Sequence, residues 1–171
     1  MSAQIELRLR GDFDQLSPVL EAGRAILSTI PRVGEDEELC HPIQVAIQEM
    51  VTNVIRHGYE SDPDGEVVVR LLARGLEFSC EIRDHAKPFD PLSHVYEQAV
   101  DGSMPVREGG FGIYFALSVM TSVEYERQGG DNVLMLTRIF DPMDVESLTE
   151  EVDAEGEPVE DSRSTLPGGD R

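Results

Sequence analysis

Glu49-Met50-Val51-Thr52-Asn53-Val54-Ile55-Arg56-His57-Gly58-Tyr59 carries apolar and polar residues at helical spacing. Glu49, Asn53 and His57 recur every fourth position and share one helix face, opposite the side that holds Ile47, Val51 and Val54. An amide oxygen one turn from a carboxylate suits hard-ligand chemistry: Asn coordinates Mg²⁺, and Glu accepts a proton. By itself the pattern also fits an ordinary exposed helix face, so its meaning depends on what surrounds it.

Moving outward from this run, the expected helix extends from about Pro42 to His57, with Pro42 in its first turn. Ile43, Ile47, Met50, Val51, Val54 and Ile55 form its buried side, and Glu35–Glu38 reads as an acidic linker before it. Further upstream, Ile5, Leu7 and Leu9 alternate with polar residues as a half-buried strand. A turn at Gly11–Asp14 follows, and then a helix whose apolar face runs from Leu16 to Ile30. Downstream, Glu66–Ala73 and Leu76–Asp84 read as a hairpin around Arg74-Gly75. Pro88–Glu108 is a long polar loop, of the kind used as a lid or binding loop. Gly109–Gly112 opens a third helix, Ile113–Met120, and strands Ser122–Arg127 and Val133–Phe140 close the pattern around a turn at Gly129–Asn132. The expected fold is an α/β (α+β) two-layer sandwich, with about three helices on one face of a mixed, mostly antiparallel sheet.

Charge narrows the function. The chain of 171 residues holds 14 Lys+Arg against 34 Asp+Glu, a net charge of −20, and Lys87 is its single lysine. Such a field repels phosphate backbones and anionic lipid surfaces, which argues against direct nucleic-acid or membrane binding. No apolar run approaches membrane-spanning length, and MSAQIELRLR does not read as a signal peptide. Cys40 and Cys80 offer neither a disulfide framework nor metal spacing, as expected of buried thiols in a reducing cytoplasm. Between Asp141 and Arg171, eleven acids face two arginines with no aromatic residue, a net −9. We therefore expect a domain over 1–140 and an acidic, disordered tail over 141–171, with a helical start near Met143–Thr149.

Two further motifs complete the constellation. Asp84 ends a strand and leads into His85-Ala86-Lys87-Pro88-Phe89-Asp90-Pro91; a carboxylate there is either a turn former or an acceptor for a base amino group. Gly109-Gly110-Phe111-Gly112 precedes a helix, where backbone N–H groups and the helix dipole favour phosphate. No Gly-Lys-Ser/Thr follows, so it is not a Walker loop. Taken in order, these segments resemble the GHKL ATPase/kinase superfamily (gyrase, the Hsp90 chaperone, histidine kinases, the MutL repair protein). The nearest resemblance is to the bacterial anti-sigma-factor serine/threonine kinases. The Glu49–Tyr59 string is similar to that family's N box, E-x-V-T-N-x-I-x-H-G-Y. Asp84–Pro91 resembles its first glycine box, D-x-G-x-x-F-D-P, and Gly109–Gly112 its second, while Asn132-Val-Leu-Met-Leu-Thr-Arg looks like its last strand.

The resemblance implies a histidine kinase-like ATPase fold over about Ile5–Phe140, with ATP and Mg²⁺ as cofactors. It implies Glu49 as general base, Asn53 as the Mg²⁺ ligand and Asp84 as the reader of adenine, with Ala86 and Phe89 in the same box. It also implies Gly109, Gly110, Phe111 and Gly112 around the phosphates, and Arg107 just before them to offset transferred charge. The reaction implied is transfer of a phosphoryl group to a Ser or Thr of an anti-anti-sigma protein of the STAS class. A sigma factor or other regulator would be sequestered, and homodimers are in keeping with the family. The alternative is a nucleotide-binding switch that sequesters a partner without phosphotransfer. Three positions depart from the family's pattern. Ala86 replaces a Gly, at a cost of about 1–2 kcal/mol if φ is positive there; Lys87-Pro88 stiffens the following turn; and Thr121 stands where relatives carry Asp.

Overall fold

The computed structural model describes residues 2–11, 16–93 and 111–142. Five strands, β1 (Ser2–Arg10), β2 (Glu66–Arg74), β3 (Glu77–Asp84), β4 (Ser122–Gln128) and β5 (Asp131–Ile139), form one sheet in the order β1-β2-β3-β5-β4. Every pairing among them is antiparallel, so the sheet expected to be mixed and mostly antiparallel is antiparallel throughout. Helices α1 (Leu16–Leu27), α2 (Glu37–Asn53) and α3 (Phe111–Val119) pack on one face. That face is the alternate set Val67, Val69, Leu71 and Ala73 of β2, with Phe78, Cys80 and Ile82 of β3 and Leu134 and Leu136 of β5. Ile26, Leu27, Ile43, Ile47, Met50 and Ile55 fill the space above it. Burial of these side chains is the main driving term, at about 1.5–3 kcal/mol each.

The opposite face of the sheet is crossed by a ladder of charge. Arg8 meets Glu6 at 3.2 Å, Glu6 meets Arg70 at 2.7 Å, and Arg70 meets Glu81 at 2.7 Å. Arg83 then joins Glu81 at 3.3 Å to Asp131 at 3.2 Å, and His85 closes the row on Asp131 at 2.6 Å. Register sets this row, because Glu6, Arg70 and Glu81 stand directly opposite one another across three strands.

α2 begins five residues earlier than the sequence suggests, and the reason is capping. Asp36 accepts hydrogen bonds from the N–H groups of Glu38 (2.7 Å) and Leu39 (3.3 Å). Glu37 and Glu38 then lie in the first turn, where negative charge complements the helix dipole. The acidic run is thus the helix start rather than a linker. Pro42 sits inside the helix and leaves the Glu38 carbonyl without its α-helical donor. At the other end the helix passes into a π turn over Val54–Gly58, closed by Tyr59 N–H on the Val54 carbonyl at 3.0 Å. The wider turn takes in an extra residue and breaks the four-residue period. His57 is therefore exposed, and Val54 is half-buried beside the cleft described below rather than wholly on the core side.

Candidate functional site

An open cleft of about 400 Å³, counting the space that opens to solvent, lies beside the C-terminal part of α2. Met50, Asn53, Val54 and Gly58 form one wall, Asp84, Phe89 and Pro91 the second, and Tyr125, Asn132 and Leu134 the third. Mostly apolar walls with a few polar atoms are what a flat aromatic ligand requires.

Asp84 is 4% exposed and Asn132 is 6% exposed, the two buried polar side chains among the described residues. Asp84 Oδ1 accepts from the Ala86 N–H at 2.9 Å and from Asn132 Nδ2 at 2.7 Å. Oδ2 has no partner among the described residues. Burial pushes the Asp84 pKa up; the hydrogen bonds from Asn132 and Ala86, and the charges of Arg127 and His85, pull against it. Asn132 is held in turn by Tyr125 Oη, donating to its Oδ1 at 2.8 Å, and by Arg127, donating at 2.6 Å.

Asn53 lines the cleft half-buried, and its amide has no hydrogen-bond partner among the described residues. A single amide oxygen suits Mg²⁺ bridged to a polyphosphate, since that ion keeps several waters and takes few protein ligands. No group of three or more His, Cys, Asp or Glu that could hold a metal occurs among the described residues. Glu49 is half-buried one turn earlier, outside the cleft lining, and faces the start of α3. A Cβ on Gly112 would collide with Glu49 Oε2 and lie 3.0 Å from Glu49 Cβ. Gly112 is thus the residue that lets α3 close onto the carboxylate.

The structure brings Asn53, Asp84 and Phe89 into one cleft, with Glu49 and Gly112 against each other nearby. Ala86 is buried next to them and is not among the residues with positive φ, so its methyl meets no backbone strain. Gly58 makes room for it, since a Cβ there would stand 3.1 Å from the Ala86 Cβ. Phe111 is 78% exposed and stacks on Phe115 at 6.4 Å, outside the cleft lining. Arg107, Gly109 and Gly110 lie outside the described residues, as do the long loop beyond Ser93 and the tail from Met143. Thr121 accepts from the Ile139 N–H at 2.9 Å and ties the end of β5.

Residues 11–138 match the histidine kinase-like ATPase domain. The chain belongs to the histidine kinase-like ATPase family. Among curated proteins it is similar to the serine-protein kinase RsbW of Listeria monocytogenes, with 29% identity over 119 residues, or 66% of this chain and 75% of that protein. It is also similar to the anti-sigma F factor of Anoxybacillus flavithermus, with 30% identity over 81 residues, or 47% of this chain and 56% of that protein. Among solved structures it resembles the RsbU and RsbW domains of a Mycobacterium tuberculosis protein, with a TM-score of 0.55 and 18% identity, covering 80% of this chain and 32% of that one. The last likeness supports the fold.

Sequence reading gave Asn132, Tyr125 and Arg127 no role. It set the closing turn at Gly129–Asn132, whereas the turn is Gly129-Gly130, with φ of 60° and 106°. Two consecutive glycines at positive φ make a two-residue hairpin loop. β5 therefore begins at Asp131 and places Asn132 opposite Arg127 on one side and Asp84 on the other. The Gly-Gly pair was the available signal for half of this arrangement. Tyr59, the last residue of the Glu49–Tyr59 string, does structural work that its spacing does not announce. Its hydroxyl donates to the Glu66 carbonyl at 2.6 Å and accepts from the His85 N–H at 3.0 Å, tying the end of α2 to the segment after Asp84.

Proposed function

We propose that this chain is an ATP- and Mg²⁺-dependent serine/threonine protein kinase that acts as an anti-sigma factor. It binds a sigma factor or another regulator and phosphorylates a STAS-class anti-anti-sigma partner. The reading takes residues 1–140 as the ATPase domain and 141–171 as an acidic appendage, in a cytoplasmic protein. The observation that carries it is the buried Asp84 carboxylate at the base of an apolar cleft whose opposite wall presents the Asn53 amide, which has no hydrogen-bond partner among the described residues. Asp84 Oδ2 accepts a hydrogen bond from the adenine amino group, with Phe89, Val54 and Leu134 as apolar neighbours. Asn53 Oδ1 would hold the metal, which would supply charge neutralisation at the phosphates. Glu49 takes the proton as the partner's hydroxyl oxygen bonds to the γ-phosphorus, and the bond from that phosphorus to the β–γ bridging oxygen breaks to leave ADP. Gly112 keeps α3 close to Glu49 without displacing it. Positioning of this kind accounts for most of the acceleration in phosphoryl transfer.

The position of Glu49 outside the cleft lining favours a second reading, a nucleotide-gated switch that sequesters its partner without turnover. One experiment separates the two. Wild type and Glu49→Gln are incubated with labelled ATP and a STAS-domain partner, with ATP affinity measured in parallel. The kinase reading expects equal ATP affinity and transfer lowered about 10²–10⁴-fold. Absence of label with wild type that binds both ATP and partner leaves the switch.

A further inference from the structure

Between the cleft and the exposed end of β4 lies a chain of polar groups that the proposed reaction does not use directly. Asn132 Nδ2 donates to Asp84 Oδ1 at 2.7 Å and to the Lys87 carbonyl at 3.1 Å. Its Oδ1 receives Tyr125 Oη at 2.8 Å and Arg127 at 2.6 Å, and Arg127 also donates to the Ala86 carbonyl at 3.2 Å. An amide can be set either way round, but an arginine has no acceptor. Whatever faces Arg127 must be an oxygen, so the nitrogen must face Asp84. The clamp thus fixes which end of Asn132 the carboxylate meets.

We propose that Asn132, clamped by Tyr125 and Arg127, is a positioning residue for base recognition: it occupies Asp84 Oδ1 and turns Oδ2 toward a ligand edge that offers an N–H donor. This deepens, and rests on, the reading of the cleft as a nucleotide site. A carboxylate this deeply buried tends to take up a proton and then to present O–H to a ligand. Such a group would favour a keto oxygen, as in a guanine-type base, over the amino group of an adenine-type base. Two N–H donors on Oδ1, from Ala86 and Asn132, keep the carboxylate an acceptor. The ionisable groups that act on it are Arg127 from β4, His85 next in sequence, and Tyr59 at the end of α2. The base-discriminating unit is therefore four side chains on three strands rather than one Asp.

Asn132→Leu tests this with little change of shape. The new side chain has no N–H to give to Asp84 and brings no second carboxylate beside it. Dissociation constants are measured on the full chain by calorimetry, for Mg-ATP and for the Mg complex of purine riboside triphosphate, which lacks the 6-amino group. In wild type, removing the amino group is expected to cost about tenfold or more, the size of one hydrogen bond to a charged group. In Asn132→Leu, ATP weakens about tenfold and removal of the amino group then costs almost nothing, so that protein change and ligand change are coupled. A residue that only held the fold would weaken both ligands by the same factor, and that result, or no change in either, overturns the proposal. Arg127→Met is the second arm and is expected to lower the amino-group preference about threefold or more through a freed amide; an unchanged preference counts equally against it. Wild type that binds neither triphosphate removes the nucleotide site itself and this inference with it.

Discussion

Gly112→Ala places a methyl group between α3 and α2, where two opposed effects can be weighed. Ala in place of Gly inside a helix ordinarily stabilises by about 1 kcal/mol. Here the new Cβ meets Glu49 Oε2, Glu49 Cδ at 3.2 Å and Glu49 Cβ at 3.0 Å. The first two contacts yield to a change of rotamer. The third does not, because Glu49 Cβ is fixed to the α2 backbone, so the helices must part by a few tenths of an ångström. Overpacking of this kind costs about 1–3 kcal/mol. Net destabilisation is expected at about 0–2 kcal/mol, together with a rotated Glu49 and a sharp loss of phosphotransfer. Urea unfolding gives the first quantity, and labelled-ATP transfer to a STAS partner gives the second. Preference for the 6-amino group, set at the other end of the cleft, stays as in wild type. A variant more stable by about 1 kcal/mol with unchanged transfer would show that α3 does not close on Glu49 and would refute the assignment of Gly112.

Two further substitutions probe the first glycine box. Ala86→Gly restores the residue expected there from the family; since φ at Ala86 is not positive and its methyl is buried against Gly58, the change should destabilise by about 1 kcal/mol in urea unfolding and leave ATP affinity unimproved. Asp84→Asn keeps an oxygen for the Ala86 and Asn132 donors but removes the buried charge. Burial holds the Asp84 pKa above its unfolded value, so the ionised group costs stability above the folded pKa, and that cost vanishes as the pH falls through it. Asp84→Asn should therefore melt higher than wild type at neutral pH, with a gain that fades on acidification, while losing ATP binding. A lower melting temperature at neutral pH would show that Asp84 carries no such cost.

The fold was legible where local chemistry and burial agree. The β2–β3 hairpin, the alternation of β1 and the apolar face of α1 each follow from a period and a turn. Local chemistry was misread at Asp36, whose cap and acidic first turn outweigh the proline that seemed to mark the start of α2. The period failed at His57, because a π turn adds a residue that hydrophobic spacing does not announce. In the site, Asn53 and Asp84 were legible because each sits in a motif of its own. Their common cleft was not, because it depends on β5 lying between β3 and β4, strands far apart in sequence. Asn132 shows the point most clearly. Its pairing with Arg127 follows from a two-glycine hairpin and is local information. Its pairing with Asp84 joins residues 48 positions apart, and no turn fixes that register. What selects it is that a slip of one residue would turn Leu134 and Leu136 out of the core and face Asp84 with Val133 or with the carboxylate of Asp131. The register that buries the leucines is therefore also the one that gives the buried carboxylate its donor, so the core and the site cannot be varied independently.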